Sequence, residues 1–217
     1  MSTSSNARVD RRARRRAETR GRLIEAARAT FARQGIDATR INEITDEADV
    51  GFGSFYNYFE SKDAIVAAVV EETAEAAGQA IDAATSELDD PAEVVAIAHR
   101  SLIRRAAEEP EWGWLLVRLE ISHDLAFAAL SPYAARDIDR GIKVGRFHVD
   151  DRNVALIATA GALLGVMRAV LQGRAGRDTA DHHAALVLRM LGLSADDAAE
   201  VAARPLPEVS RPEPSRG

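Results

Sequence analysis

Residues 48–62 read Ala48-Asp49-Val50-Gly51-Phe52-Gly53-Ser54-Phe55-Tyr56-Asn57-Tyr58-Phe59-Glu60-Ser61-Lys62. Aromatic residues make up 5% of the chain, yet five of them fall in the eight positions from Phe52 to Phe59. Phe55 and Phe59 are four apart and therefore share one face of a short helix. That face can be pinned against the apolar Phe31 and Ile44. The same geometry turns Ser54, Tyr56, Asn57 and Tyr58 toward other faces. Tyrosine hydroxyls donate to phosphate oxygens, and an asparagine amide can pair bidentately with an adenine edge. Gly51 and Gly53 remove side chains at the helix start, where backbone N–H groups can then approach a phosphate. Lys62 places a cation in the first turn of the next helix, where the dipole does not favour one; an anion nearby would account for it.

On the N-terminal side, residues 14–34 carry Leu23, Ile24, Ala27 and Phe31 at helical spacing, so one stripe faces a core. Gly35 suits the left-handed stop of that helix, with Ile36 folding back over it. Thr39 is a good N-cap for a second, short helix that turns Ile41, Ile44 and Ala48 inward. A break at 49–51 leads into a third segment over 52–58. Two short helices so separated have the helix-turn-helix layout. Ser61 can cap a longer helix over 62–84. Beyond Pro91 the pattern predicts long helices over 92–108, 111–121, 125–145, 151–173 and 179–191, and a short one after Ser194. Four of the seven prolines lie in residues 204–217, which predicts a disordered tail. The fold class is all-α. Its parts are a basic flexible arm (1–16), a helix-turn-helix domain (17–65), a larger helical domain (66–203) and the tail (204–217).

Composition narrows the function. With 217 residues and 47% hydrophobic residues, the chain can build a substantial core. It has no cysteine, which excludes disulfides, thiolate metal sites and cysteine nucleophiles. No signal-peptide pattern follows the early arginines, and the longest apolar stretch, around Val154 to Val170, is interrupted by a threonine, glycines and Arg168. The expectation is a cytoplasmic protein without a membrane partner. Residues 1–22 hold eight arginines against two acids, so the rest of the chain carries −12 of the net −6. An acidic body with a basic arm suits one polyanionic partner at one end, though a solvated tail would have the same charge.

Taken together, 39–44 and 48–63 resemble the TetR family of bacterial transcriptional regulators, over roughly residues 18–70. The string Gly53-Ser54-Phe55-Tyr56-Asn57-Tyr58-Phe59-Glu60-Ser61-Lys62 carries the likeness. The resemblance implies a homodimer with a three-helix DNA-binding domain, reading a near-palindromic operator in double-stranded DNA. It also implies a C-terminal domain for a small-molecule effector, and favours a repressor over an activator. Carried over by position, Thr39, Gly51, Tyr58 and Lys62 would touch phosphate. Phe52, Gly53, Ser54, Tyr56 and Asn57 would face base edges, and Arg40 joins the DNA contacts. Three positions depart from the usual pattern: Thr45 stands for alanine, Asp49 for glycine, and Gly51 for a serine or threonine that caps the recognition helix. The arginines at 11, 12, 14, 15 and 16 precede the first helix, where homeodomain-like proteins send such residues into a minor groove.

The effector side is less legible. Polar or bulky outliers in apolar helices supply the pocket candidates Trp112, Trp114, Arg118, His123, Phe127, Met167 and Arg168. Tryptophan and histidine at such positions are also common as ordinary core or surface residues. Ala158, Gly161, Ala162, Gly165 and Ala169 form a stripe of small residues that lets helices approach closely. By resemblance, this helix and that over 179–191 would form a four-helix dimer interface; tight packing within one chain is the alternative. No cofactor or metal is expected, since the five histidines lack ligand spacing and no nucleotide-binding or nucleophile-elbow motif occurs. An enzyme or a helical interaction module remain the readings from other classes.

Overall fold

From Ala7 to Arg20 the chain contains neither glycine nor proline and is rich in alanine and arginine, both strong helix formers. In the computed structural model it is helical there. The structure describes residues 3–117, 120–176 and 178–210, with side chains from residue 11 onward except 118–123 and 177. Helix α1 runs Thr3–Gln34, so the described part of the expected flexible arm is a continuation of the first helix. An exposed Arg14–Glu18 pair at 3.1 Å, four residues apart, adds to its intrinsic propensity. Gly35, at φ +80°, closes α1 by donating its N–H to Phe31 O at 2.8 Å, and Ile36 folds back into burial.

Helix α2 spans Ile41–Glu47 and α3 Phe52–Phe55. The cap of α2 is Arg40 rather than Thr39: the Glu43 carboxylate reaches back to accept the Arg40 N–H at 2.7 Å. That bond holds the Glu43 carboxyl below the usual carboxylate range. Helix α4, Lys62–Thr85, begins with Ser61 Oγ accepting from Ala64 N at 3.1 Å. The remaining helices are α5 (Pro91–Glu108), α6 (Pro110–Val117), α7 (Glu120–Lys143), α8 (Arg152–Leu171), α9 (Thr179–Met190) and α10 (Ala195–Ala203). Among the described residues there is no strand.

Contacts divide the chain into two units between Val69 and Val70, and α4 runs through the break. In the first unit, Leu23, Ile24, Phe31, Ile44, Phe55, Phe59 and Ile65 are buried. In the second, α5 is the central helix, packed on α6, α7, α8, α9 and α10. Ala92, Val95, Ile138, Phe147, Val187, Leu188, Leu191 and Val201 join in its core. The tail departs from the expected disorder over its described part. Arg204 pairs with Glu93 at 2.7 Å and Asp90 at 3.2 Å, and its carbonyl accepts from the buried Arg100 at 2.7 Å. Leu206, Pro207 and Val209 are half-buried. Prolines prevent a helix here, but Arg204, with carboxylate partners in Asp90, Glu93 and Glu200, holds the start of the run in place. Residues 211–217 lie outside the described part.

Candidate nucleic-acid interface and ligand cavity

The link between α2 and α3 is a backbone device. Asp49 adopts φ +51°, its N–H donating to Asp46 O at 3.2 Å while Val50 N–H reaches Thr45 O at 2.9 Å. This is the glycine-type helix stop built on an aspartate, which tolerates the left-handed conformation better than most residues. Thr45, where an alanine was the norm, is buried, and its hydroxyl donates to Asn42 O at 2.9 Å, so the extra oxygen has a partner.

Beyond the stop, α3 is shorter than the sequence suggests. It makes one turn, then continues as tight turns in which Asn57 N–H donates to Ser54 O and Tyr58 N–H to Phe55 O. Phe55 and Phe59, buried with centroids 5.7 Å apart, hold the segment to the unit. Phe52 and Tyr56 stand out at 53% and 51% exposure, edge to face across 5.8 Å. Gly51, Gly53 and Asn57 are exposed as well, and a Cβ at Gly53 would meet only open space. Ser54 and Tyr58 are half-buried, the latter beneath the Arg16 guanidinium at 5.3 Å from its ring. Arg40 is exposed. Lys62 is half-buried and donates to Asp37 O at 3.3 Å, which leaves two of its three N–H groups for another acceptor.

Thr39 departs from its expected place at the surface. Its side chain is 2% exposed and its hydroxyl donates to Gly35 O at 2.8 Å, while its N–H goes to Ile36 O. Both donors are spent on the turn that joins α1 to α2, so neither reaches outward.

The second unit encloses a cavity of about 80 Å³ between α4, α5, α7, α8 and the end of α9. Ile81, Leu102, Phe127, Leu130 and Leu163 supply apolar wall. Polar residues interrupt it, among them His99, Asp137, Thr85, Ser131 and Thr159. His99 on α5 contacts His183 on α9, Nδ1 to Nε2 at 3.0 Å. Burial holds both imidazoles neutral, lowering His99 to about 3 (with His183 adding to the effect) and His183 to about 4. Nδ1 of His183 is buried without a hydrogen-bond partner among the described residues. An orphaned N–H is rarer and costlier than an unused lone pair, so that nitrogen is the bare one. On that assignment the His183 proton sits on Nε2 and donates to His99 Nδ1, which places the proton of His99, a residue of the cavity wall, on its Nε2.

A carboxylate on the wall is Asp137 on α7. Arg136 donates Nε and Nη2 to its Oδ1 at 2.9 and 2.8 Å, and Oδ2 has no hydrogen-bond partner among the described residues. Burial raises the Asp137 carboxyl against the pull of Arg136. Arg136 also pairs with Asp82 at 2.7 Å, and Tyr133 donates its hydroxyl to Glu75 at 2.7 Å.

The cavity therefore lies elsewhere than the sequence suggests. Of the pocket candidates, Phe127 lines it. Trp112 instead packs under the Arg105 guanidinium at 4.4 Å, and Trp114 is half-buried in α6. Met167 belongs to the core, and Arg168 donates to Val117 O. Arg118 and the side chain of His123 lie outside the described residues. His99 and Asp137 were missed. A histidine within the apolar Val95–His99–Leu102 stripe is the one local signal that could have found the first; nothing local marks the second.

Helix α8 presents a third feature. Gly161 and Gly165 are exposed, with open space where a Cβ would be, and Ala158, Ala162 and Ala169 are half-buried. The small-residue stripe thus does not serve packing within the chain at its glycines. Val154 and Ile157 on α8 are 61% and 62% exposed, and Leu186 and Met190 on α9 are exposed too. Among the described residues, α8 is the one helix long and apolar enough to cross a bilayer, with a mean hydropathy of 2.1, a test that many helices of water-soluble folds also pass.

Comparison with known proteins addresses both units. The family described as "Bacterial regulatory proteins, tetR family" matches residues 23–69, and "Tetracyclin repressor-like, C-terminal domain" matches residues 90–204. Among curated relatives, the HTH-type transcriptional repressor KstR2 of Mycobacterium tuberculosis is 45% identical over 47 residues, 22% of this chain and 24% of its own. The probable acrEF/envCD operon repressor of Escherichia coli K12 is 47% identical over 45 residues, 21% of this chain and 20% of its own. These matches span no more than about a quarter of either relative. A crystal structure of RolR in complex with its ligand resorcinol extends much further. It superposes with a TM-score of 0.82 at 39% identity, covering 91% of this chain and 100% of that one.

Proposed function

The chain belongs to the TetR family of DNA-binding bacterial regulators, and we propose that it acts as a homodimeric repressor released from a near-palindromic operator by a small hydroxylated aromatic molecule. The single observation that carries the ligand class is the cavity: apolar walls for a ring, a donor on His99 and an acceptor on Asp137. A ring bearing hydroxyls satisfies both groups, because a hydroxyl both donates and accepts. RolR, crystallised with resorcinol, supports that choice of class. The segment over 52–58, with Arg40 and Lys62, would meet the duplex through phosphate and base-edge contacts.

A dimer is supported by the bare apolar faces of α8 and α9. A single turn of helix reads too few base pairs for a unique site. Two copies spaced by about 34–36 Å would reach successive major grooves. Such a regulator works in the cytoplasm, where the chromosome is.

The experiment is a selection of duplexes from random sequence, followed by anisotropy titration of the winner with resorcinol and phenol. A near-palindrome bound by two chains, and released by either compound, is the expected result. A protein that binds its selected duplex but holds it unchanged at saturating levels of both compounds would remove the effector class and leave DNA recognition standing.

A further inference from the structure

We propose that the outer half of α1 is a second DNA-binding surface, on which Arg12 and Arg16 grip duplex phosphates beside the recognition segment. The inference rests on the DNA-binding reading and adds a contact to it. Residues 11–18 are all exposed, and from residue 11 onward the first buried side chain of α1 is Leu23. Residues 11–22, about 18 Å of helix, therefore precede it without a buried side chain. Burial of an apolar face, the usual source of helix stability in proteins, is absent over 11–18.

Register shows where this helix is aimed. Arg12, Arg16 and Arg20 follow one another at four-residue spacing and form a single ridge. The Arg16 guanidinium donates to Asn57 O at 2.7 Å and lies 5.3 Å from the Tyr58 ring. That of Arg20 lies 5.3 Å from the Phe59 ring. The ridge thus rests on the recognition segment, and Arg12 continues it one turn beyond. Of the five N–H groups of Arg16 the contact to Asn57 uses one, so it keeps donors for a phosphate. Glu18 is engaged by Arg14, which projects from the opposite side of α1, and among the described residues no acidic side chain pairs with Arg12. Its surroundings agree: the surplus of six positive charges in residues 1–22 sits on a chain otherwise strongly acidic.

The helical state also decides between grooves. An α-helix with side chains is about 10–12 Å across, and the minor groove only about 6 Å wide. An extended arm could enter it; this helix cannot. Its arginines reach the backbone phosphates that border the groove instead.

The test compares two single variants, Arg12→Ala on the ridge and Arg14→Ala on the opposite side, each removing one charge from an exposed position. Affinity for a 30-base-pair duplex of mixed sequence is measured by anisotropy between 50 and 200 mM KCl. Arg12→Ala should flatten the slope of log K against log salt by about 0.9 for each arm in contact, and Arg14→Ala should leave it nearly unchanged. Equal slopes for the two variants and the parent chain would overturn the proposal, as would an equal loss in both, which marks diffuse attraction. If the parent chain binds and Arg12→Ala keeps its slope, recognition by 52–58 stands without the ridge. If the parent chain ignores duplex even at 50 mM salt, both fall.

Discussion

Phe55 and Tyr56 are adjacent, yet one is fully buried and the other 51% exposed. The two should fail differently. Phe55→Ala leaves a cavity in a small core and should cost about 3–5 kcal/mol, lowering the melting temperature and losing duplex binding with it. Tyr56→Ala should melt within a degree or two of the parent and still lose duplex affinity; an unchanged affinity would take Tyr56 out of the interface. Four-residue spacing made this division legible before any coordinates. Thr39 was not legible, because a threonine hydroxyl beside a helix start can cap forward or turn back, and here it turns back onto Gly35 O. Nor was the His99–His183 pair, 84 residues apart in sequence. Both histidines are held neutral far below the ordinary value near 6.5, so the unfolded chain takes up protons that the folded one refuses. Their contribution to stability is therefore complete above about pH 6.5 and declines as the pH falls toward 4, by up to about 1.4 kcal/mol per pH unit for each proton. Thermal melts between pH 7.5 and 5 should show this drop, and His99→Leu with His183→Leu should flatten it.

At the level of elements, the long helices α4, α5 and α7–α9 were readable because apolar periodicity runs over many turns. The ends of short ones were not. The sequence of 52–58 is compatible with two turns of helix, but bonds to the third preceding residue tighten it after Phe55. The N-terminal arm departs from its expected flexibility for another reason: charge density suggests disorder, whereas alanine and arginine without a breaker favour helix. The stop after α2 offers a direct test. Asp49→Ala places a Cβ-bearing residue without aspartate's local compensation at φ +51° and should destabilise by about 1 kcal/mol. Asp49→Gly should not, and comparable melting temperatures for the two would show that the conformation costs little. The α8–α9 face makes a second test. Ile157→Glu sets a charge in the middle of an apolar surface that needs no rearrangement in the isolated chain, since Ile157 is 62% exposed. Light scattering should report dimers for the parent chain and monomers of unchanged helicity for the variant; dimers in both would place the interface elsewhere.

For the molecule as a whole, the ligand cavity is a property of assembly. Gly78 and Ile81 come from α4, His99 from α5, Asp137 from α7 and Thr159 from α8, and no spacing within the sequence brings them together. The tryptophans drew attention because they are conspicuous locally, yet a cavity is defined by what lies opposite across several helices. The coupling to DNA proposed for it is a matter of linkage. If a hydroxylated aromatic weakens duplex binding, the duplex must weaken binding of that aromatic by the same factor, and allosteric couplings typically lie near 1–3 kcal/mol, or about 5–150-fold. Calorimetric titration of resorcinol into the free protein and into its complex with the selected duplex should therefore give dissociation constants that differ by the factor seen in the anisotropy experiment. Asp137→Asn separates the two ends of this coupling. It keeps the shape of the cavity but turns a carboxylate of its wall into an amide, so ligand affinity should fall while duplex affinity without ligand stays at the parent value. Loss of duplex binding in that variant would mean that the carboxylate maintains the DNA-competent state itself, and equal resorcinol affinity with and without duplex would mean that the cavity and the recognition segment are energetically independent.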